Sequence, residues 1–185
     1  MSTASAPSAA GTTTWNIDNS HTLVEFSVRH LMISTVKGRF GEVSGKVVAD
    51  DADPAGAQIE ATINVASIDT REAQRDAHLR SADFFDAENF PTLTFRGTRI
   101  EKAGDGLKVT GDLTIRGTTR EVVLDVTSEG RVKDPWGGER AGYSATTKIK
   151  RSDFGLTWNM ALETGGVVVG DDIKIALEVE LVKQA

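Results

Sequence analysis

Along most of this chain apolar and polar residues alternate one for one, and that period of two constrains the fold more than any other feature. It is cleanest near the end, where Ile173, Ile175, Leu177, Val179 and Leu181 alternate with Lys174, Ala176, Glu178 and Glu180. Successive strand side chains point to opposite faces, so such a segment buries one face and wets the other. Leu107, Val109, Gly111, Leu113 and Ile115 repeat the pattern against Lys108, Thr110, Asp112, Thr114 and Arg116. Further inward rows are Val24, Phe26, Val28 and His30; Val43, Gly45, Val47 and Ala49; Ile59, Ala61, Ile63 and Val65; Leu93, Phe95 and Gly97; Val122, Leu124 and Val126; and Tyr143, Ala145, Thr147 and Ile149. Turns fall between them at Asp50 to Gly56, at Gly104-Asp105-Gly106, at Gly117 and at Asp134 to Gly138, with a bend at Gly38–Gly41. About eight antiparallel strands in hairpin order result, and closure into a barrel removes the exposed edges that an open sheet would leave.

One stretch breaks the rhythm. From Ser67 to Pro91 the chain reads as a short helix followed by a Phe-rich turn. Asp69 or Thr70 is placed to cap the helix, with Glu72 completing a capping box after Asp69. Ala73, Ala77 and Arg80 form a narrow contact stripe, and Pro91 keeps Phe90 extended and ends any helix before it. The fold class is therefore all-β: an eight-stranded antiparallel barrel with one short α-helical insert. The small inward residues Gly45, Ala49, Ala61, Gly97, Gly111 and Ala145 favour a cavity over a filled interior.

The 185 residues suffice for one domain with a core of its own, and short turns leave no linker for a second. Residues 1–14, rich in Ser, Thr, Ala, Gly and Pro, read as a disordered tail ahead of a domain spanning 15–184. They lack the basic and apolar regions of a signal peptide, so the sequence as written reads as cytoplasmic, or as periplasmic or secreted if an export signal is missing from it. A net charge of −6 argues against nucleic acid and against an anionic membrane surface as partners, and no apolar run is long enough for an integral membrane segment. The absence of cysteine removes disulfides, thiolate catalysis and zinc–thiolate sites.

Several ordered motifs carry a resemblance to a known family. Ser67-Ile68-Asp69-Thr70 and the run from Arg75 to Phe95 are joined by His21 to Phe26, Val36 to Phe40, Gly111 to Gly117, Lys150 to Gly155 and Val169 to Asp172. With sensible gaps between them, these pieces are similar to the YceI-like family of polyisoprenoid-binding, lipocalin-like barrels, from about Trp15 to Val182. The resemblance implies an apolar pore that holds a long prenyl chain. Many members of the family are exported, from which these first residues depart.

The chemistry-bearing residues fit a binder better than an enzyme. His30 continues an apolar row and is expected to face the pore, where it could meet a ligand headgroup. His21 lies nine positions earlier, on the opposite face of an unbroken strand, so the two do not share a metal. His78 has no partner at helical spacing, and Asp69, Asp76, Asp83 and Asp86 read as caps, partners of Arg71, Arg75 or Arg80, or solvent-facing groups. No hydrolase, nucleotide or metalloprotease motif is present. Candidate ligand contacts are Phe26, Val28, His30, Phe40, Ile63, Phe84, Phe85, Phe95, Leu113, Tyr143, Trp158 and Met160. Phe84, Phe85 and Phe90, with Trp158 and Met160, read either as plugs of the barrel ends or as a rim past which a chain enters.

Three readings follow. The first is a non-catalytic carrier of an isoprenoid lipid, quinone-like or a prenyl phosphate, with that lipid as ligand and no metal or other cofactor. The second is an enzyme acting on such a ligand through His30 and a carboxylate. The third is a packed structural or dimerisation domain, the homodimer being the protein partner considered. Burial of one five-carbon unit is worth roughly 3–4 kcal/mol gross, so about six units would pass the ceiling of roughly 18–21 kcal/mol for non-covalent affinity. Ordering of the tail and incomplete burial must offset much of that gain.

Overall fold

The computed structural model describes residues 11–50 and 52–185. Among them eleven strands form one antiparallel sheet: β1 (Thr12–Ile17), β2 (Leu23–His30), β3 (Ser34–Phe40), β4 (Val43–Asp50), β5 (Asp53–Asn64), β6 (Ile68–Asp69), β7 (Thr92–Ala103), β8 (Gly106–Ile115), β9 (Thr118–Lys133), β10 (Glu139–Lys150) and β11 (Asp172–Lys183). The ring β1-β4-β5-β7-β8-β9-β10-β11 is closed by pairing of β1 with β11, giving an eight-stranded barrel. β2 pairs with β11 at residues 23–27, just along the edge from where β1 pairs with it, and β3 and β6 follow outward from β2. The first two strands thus act as one long bent strand, broken by a 3-10 turn at Asn19–His21, and β3 and β4 as another, bent at Gly41 and Glu42.

Alternation places the core as the sequence predicts. Val24, Val43, Leu93, Val109, Ile115, Val122 and Leu181 are buried on the inner face. Gly104 (φ 58°) and the pair Arg116 (φ 48°) and Gly117 (φ 73°) make the two tight hairpin turns beside β8. Both use the left-handed backbone that two-residue hairpins require.

Three boundaries differ from the sequence expectation. β1 starts at Thr12, so residues 12–14 pair with β4 instead of belonging to a tail; residues 1–10 lie outside the described residues. The turn expected at Asp50 to Gly56 is shorter, because β5 begins at Asp53 opposite Asp50. Pro54 is tolerated there because it falls in the register shift between the Asp50 and Val48 pairings, and the β5–β7 ladder runs only from Glu60 to Asn64. His21 is not in a strand with His30 but in the 3-10 turn before β2.

Helix α1 spans Ala73–Arg80 and is capped by Glu72, whose carboxylate accepts from the Gln74 and Arg75 amides, and not by Asp69 or Thr70. Asp69 accepts from the Arg71 amide (2.8 Å) and lies 3.7 Å from Arg39, while Thr70 is buried and donates to Asp76. The expected stripe is also corrected: Ala73 and Ala77 are exposed, and the helix turns Asp76 and Leu79 inward. Small alanines lose little by facing water, whereas Asp76 can be buried because the Thr70 amide (2.8 Å) and hydroxyl satisfy it.

Candidate functional site: an apolar cavity under an aromatic plug

The inward rows enclose a cavity of about 210 Å³ whose exposed wall is wholly apolar. Phe26 and Val28 (β2), Phe40 (β3), Ile63 (β5), Phe95 (β7) and Leu113 (β8) line it, with Leu124, Ile149, Ile175 and Leu177 from β9 to β11. Leu79 of α1 and Phe84 and Phe85 of the following turn reach it from the insert. Eight of the twelve sequence candidates therefore share one wall: Phe26, Val28, Phe40, Ile63, Phe84, Phe85, Phe95 and Leu113.

The other four do not line the cavity. His30 ends β2 half-buried, its carbonyl accepting from the Ile33 amide (3.1 Å) and the Ser34 hydroxyl (3.4 Å). Val169, its bridge partner, stands in the wall in its place. Tyr143 packs in a separate cluster with Trp15, Ala141 and Leu181 at the opposite end of the barrel. Met160 is 58% exposed. Trp158 sits behind the wall, 5.4 Å from the Phe84 ring and edge-on to His78 at 4.8 Å.

The small inward residues do not make the cavity in the way expected of them. A Cβ on Gly38 would lie 2.4 Å from the Phe26 ring, and one on Gly111 would lie 2.4 Å from the Phe95 ring. These glycines are space for aromatic rings of the same wall, and of the six small residues read as inward only Ala61 borders the lumen.

Rings also build the plug. Phe26 is 5.5 Å from Phe40, which is 5.8 Å and edge-on to Phe85. Phe84, His78 and Trp158 form a second trio, each pair within 5.4 Å. Offset and edge-to-face pairs of this kind contribute about 0.5–1.5 kcal/mol each beyond area burial. His78 does have a partner, at i+5: its Nε2 lies 2.9 Å from Asp83 Oδ2. Asp86 accepts from the Asn89 amide side chain, and Arg75 and Arg80 donate to Thr70 and to the Ala66 and Ile68 carbonyls, not to the aspartates.

Sequence reasoning missed Arg151, the residue that holds this end together. Its guanidinium is buried and donates to the carbonyls of Leu156 (2.7 Å), Trp158 (2.9 Å), Val169 (3.2 Å) and Gly170 (2.8 Å). Burial pushes its pKa down, the Asp171 charge opposes this, and the group stays a cation at neutral pH. The planar fork thereby fixes residues 156–170, which carry Trp158, against the barrel. Asn159 adds a two-way clamp to Val169, donating at 2.7 Å and accepting at 3.1 Å.

The polar cluster of the molecule lies elsewhere, beside the β1–β2 turn. Arg140 donates to Asp18 (2.8 Å), Glu180 (2.7 Å) and Asp134 (3.0 Å), and Asp18 also bonds His21 (2.9 Å) and Ser20 (2.7 Å). The His21 bond, then Ser20 and Arg140, hold the Asp18 carboxyl well below the usual carboxylate range; the Asp18 bond, then the Glu180 charge, raise His21. Asp18, His21 and Glu180 present ligand atoms within 4.8 Å of one another, a metal-like trio that histidine spacing alone does not reveal. Arg140 already occupies both carboxylates, so a cation there would have to displace a guanidinium.

A closed eight-stranded barrel with an apolar lumen and a helix–aromatic plug is the architecture of a small-molecule-binding β-barrel. The YceI-like domain profile matches residues 15–181. Protein YceI of Salmonella newport (strain SL254) and that of Escherichia coli O157:H7 are each 38% identical over 167 residues, covering 90% of this chain and 84% of theirs. The chain belongs to the YceI-like family. Among solved structures, Burkholderia cenocepacia BcnA superposes with a TM-score of 0.77 at 27% identity, over 89% of this chain and 98% of that one. The Campylobacter jejuni YCEI protein gives 0.70 at 37% identity, over 85% and 90%. A polyisoprenoid binding domain from Saccharophagus degradans shares the fold, with a TM-score of 0.64 at 14% identity over 90% and 97%.

Proposed function

We propose that the protein binds a long apolar chain of the isoprenoid class in the barrel lumen and carries it without altering it chemically. The observation that carries this reading is the apolar cavity of about 210 Å³. An apolar ligand there removes the apolar wall from water, a gain of about 25 cal/mol per Å² buried. The family, and a fold neighbour described as a polyisoprenoid binding domain, support the ligand class. In the lumen Phe26, Val28, Phe40, Ile63, Phe95 and Leu113 would contact the chain.

The cavity is smaller than the roughly 300–1,000 Å³ of drug-sized ligand pockets. A chain of many units must therefore displace part of the plug, and Leu79, Phe84 and Phe85 are the side chains that would move. The non-catalytic part of the reading rests on chemistry: the wall is apolar, Arg151 beside it is spent on backbone carbonyls, and the Glu25 carboxylate lies toward Lys37 (3.8 Å).

The test is Leu113→Trp. Overpacking costs about 1–3 kcal/mol, which the fold is expected to survive. Affinity for a fluorescent prenyl probe should fall at least about tenfold, or roughly 1.4 kcal/mol. Unchanged uptake by the folded variant would remove the lumen as the binding site.

A further inference from the structure

The hairpin between β2 and β3 ends in three consecutive large apolar residues that face water: Leu31 (37% exposed), Met32 (60%) and Ile33 (78%). Leu31 and Met32 are also held at φ 51° and 62°, in the left-handed region that bulky side chains rarely occupy. Asn or Gly would suit both the backbone and the solvent better. Neither folding nor solubility explains apolar residues there, and strain of this kind points to a function at the tip.

The tip does not stand alone. The Leu31 amide donates to the Val168 carbonyl (2.8 Å) and the Val168 amide to the Met160 carbonyl (3.1 Å), so exposed Met160 and Val167 lie on the strand-like segments alongside. Val169, next in line, borders the cavity and bridges His30. Trp158, two residues before Met160, packs on Phe84, which lines the lumen. The apolar tip is thus continuous with the plugged end of the ligand cavity.

The form and charge of the patch select its occupant. It is the exposed tip of a hairpin, and so suits a soft surface that closes around it better than a rigid one. Of the basic residues near the tip, Lys37 lies 3.8 Å from Glu25 and Arg39 3.7 Å from Asp69, while Arg29 bonds neutral acceptors. Arg29 sits at the base of the tip, donating to the Met32 carbonyl (3.1 Å) and Thr35 hydroxyl (3.1 Å). The guanidinium therefore lies against the backbone of the tip itself. A cation at the tip backbone with exposed apolar side chains beside it suits the headgroup–acyl boundary, where apolar groups bury and a long basic side chain keeps its charge among the phosphates.

We infer that the Leu31-Met32-Ile33 tip is a membrane-docking wedge that inserts into the surface of a phospholipid bilayer and sets the plugged end of the cavity against it. The wedge takes its purpose from the lipid-binding reading, since a carrier must meet the bilayer that holds its cargo.

The experiment uses the full chain and flotation with phosphatidylcholine vesicles, with or without phosphatidylglycerol, containing no isoprenoid. Wild type should float with both; a net charge of −6 opposes the anionic vesicles, so the apolar tip and not charge should carry the binding. Met32→Asn/Ile33→Ser should lower the partition at least about tenfold. Because Asn tolerates the left-handed backbone, this variant should melt no lower than wild type. In parallel, a prenyl probe offered from detergent micelles should load both proteins equally. Wild type that fails to float, or a variant that floats like wild type, overturns the inference. So does light scattering that shows a wild-type dimer dissociated by the same substitutions, which would make the tip a self-contact. A variant that loses micellar loading as well places the tip in the ligand site and overturns the docking role. Failure of wild type to load from micelles refutes the isoprenoid reading instead, while flotation decides the wedge by itself.

Discussion

Replacing Arg151 by Met keeps much of the apolar stem and deletes the fork. Four charge-assisted bonds go: those to Leu156, Trp158, Val169 and Gly170. The Val169 carbonyl retains the Asn159 amide, which leaves three carbonyls that lose this donor. An unsatisfied buried acceptor costs about 1–3 kcal/mol, and relief of the buried charge returns part of that, so the net loss should be about 3–4 kcal/mol. For a domain of this size each kcal/mol moves the melting temperature by about 2–4 °C, which gives a drop of about 6–16 °C. Arg151→Lys should recover less than half, because an ammonium cannot reach carbonyls spread around a planar fork. Thermal melts followed by circular dichroism measure the drop, and limited proteolysis should find new cuts within residues 156–170. A melting temperature for Arg151→Met within about 2 °C of wild type would refute the reasoning.

The Asp18–Arg140 cluster makes stability depend on pH in both directions. Asp18 and Asp134 are depressed, so their contribution is present above the ordinary carboxylate range and fades as pH falls below about 4; His21 is raised, so its contribution is present below about pH 6.5 and fades as pH rises through its folded value. Urea midpoints of wild type should peak between those limits, and Asp18→Asn should flatten both limbs; parallel profiles would show that the cluster is neutral. His30→Leu should leave affinity for a prenyl quinone and for a headgroup-free prenol alike within about twofold of wild type, or about 0.4 kcal/mol, since His30 is outside the wall. A selective loss for the quinone in a probe titration would return His30 to the headgroup role.

The barrel was legible because a wall with one wet and one dry face writes itself as a period of two, and Ile173 to Leu181 and Leu107 to Ile115 carry it without a break. The bent strands were less so: β1 with β2, and β3 with β4, change partners partway, and the 3-10 turn at Asn19–His21 has no apolar period to mark it. Seven of the eight cavity candidates were readable as inward-facing rows or as insert phenylalanines, and Phe40 only through the motif Val36 to Phe40. Leu79 was not, because a helix whose alanines face water gives a misleading stripe. Gly111 shows why small inward residues are an ambiguous sign: a glycine opens room that a neighbouring Phe then fills, as Gly38, read as a bend, also does. Arg151 and the Asp18–Arg140 pair, 122 residues apart, were invisible because their partners are backbone carbonyls and distant strands, which no local spacing encodes.

The central claim, a lumen that holds an isoprenoid chain, is tested most directly by native mass spectrometry of the protein purified without detergent, followed by lipid extraction. The account predicts a bound mass that is released on unfolding and identified in the extract as a chain built from five-carbon units. An unliganded mass in every charge state, unchanged after incubation with a prenyl quinone or a plain prenol, would contradict it.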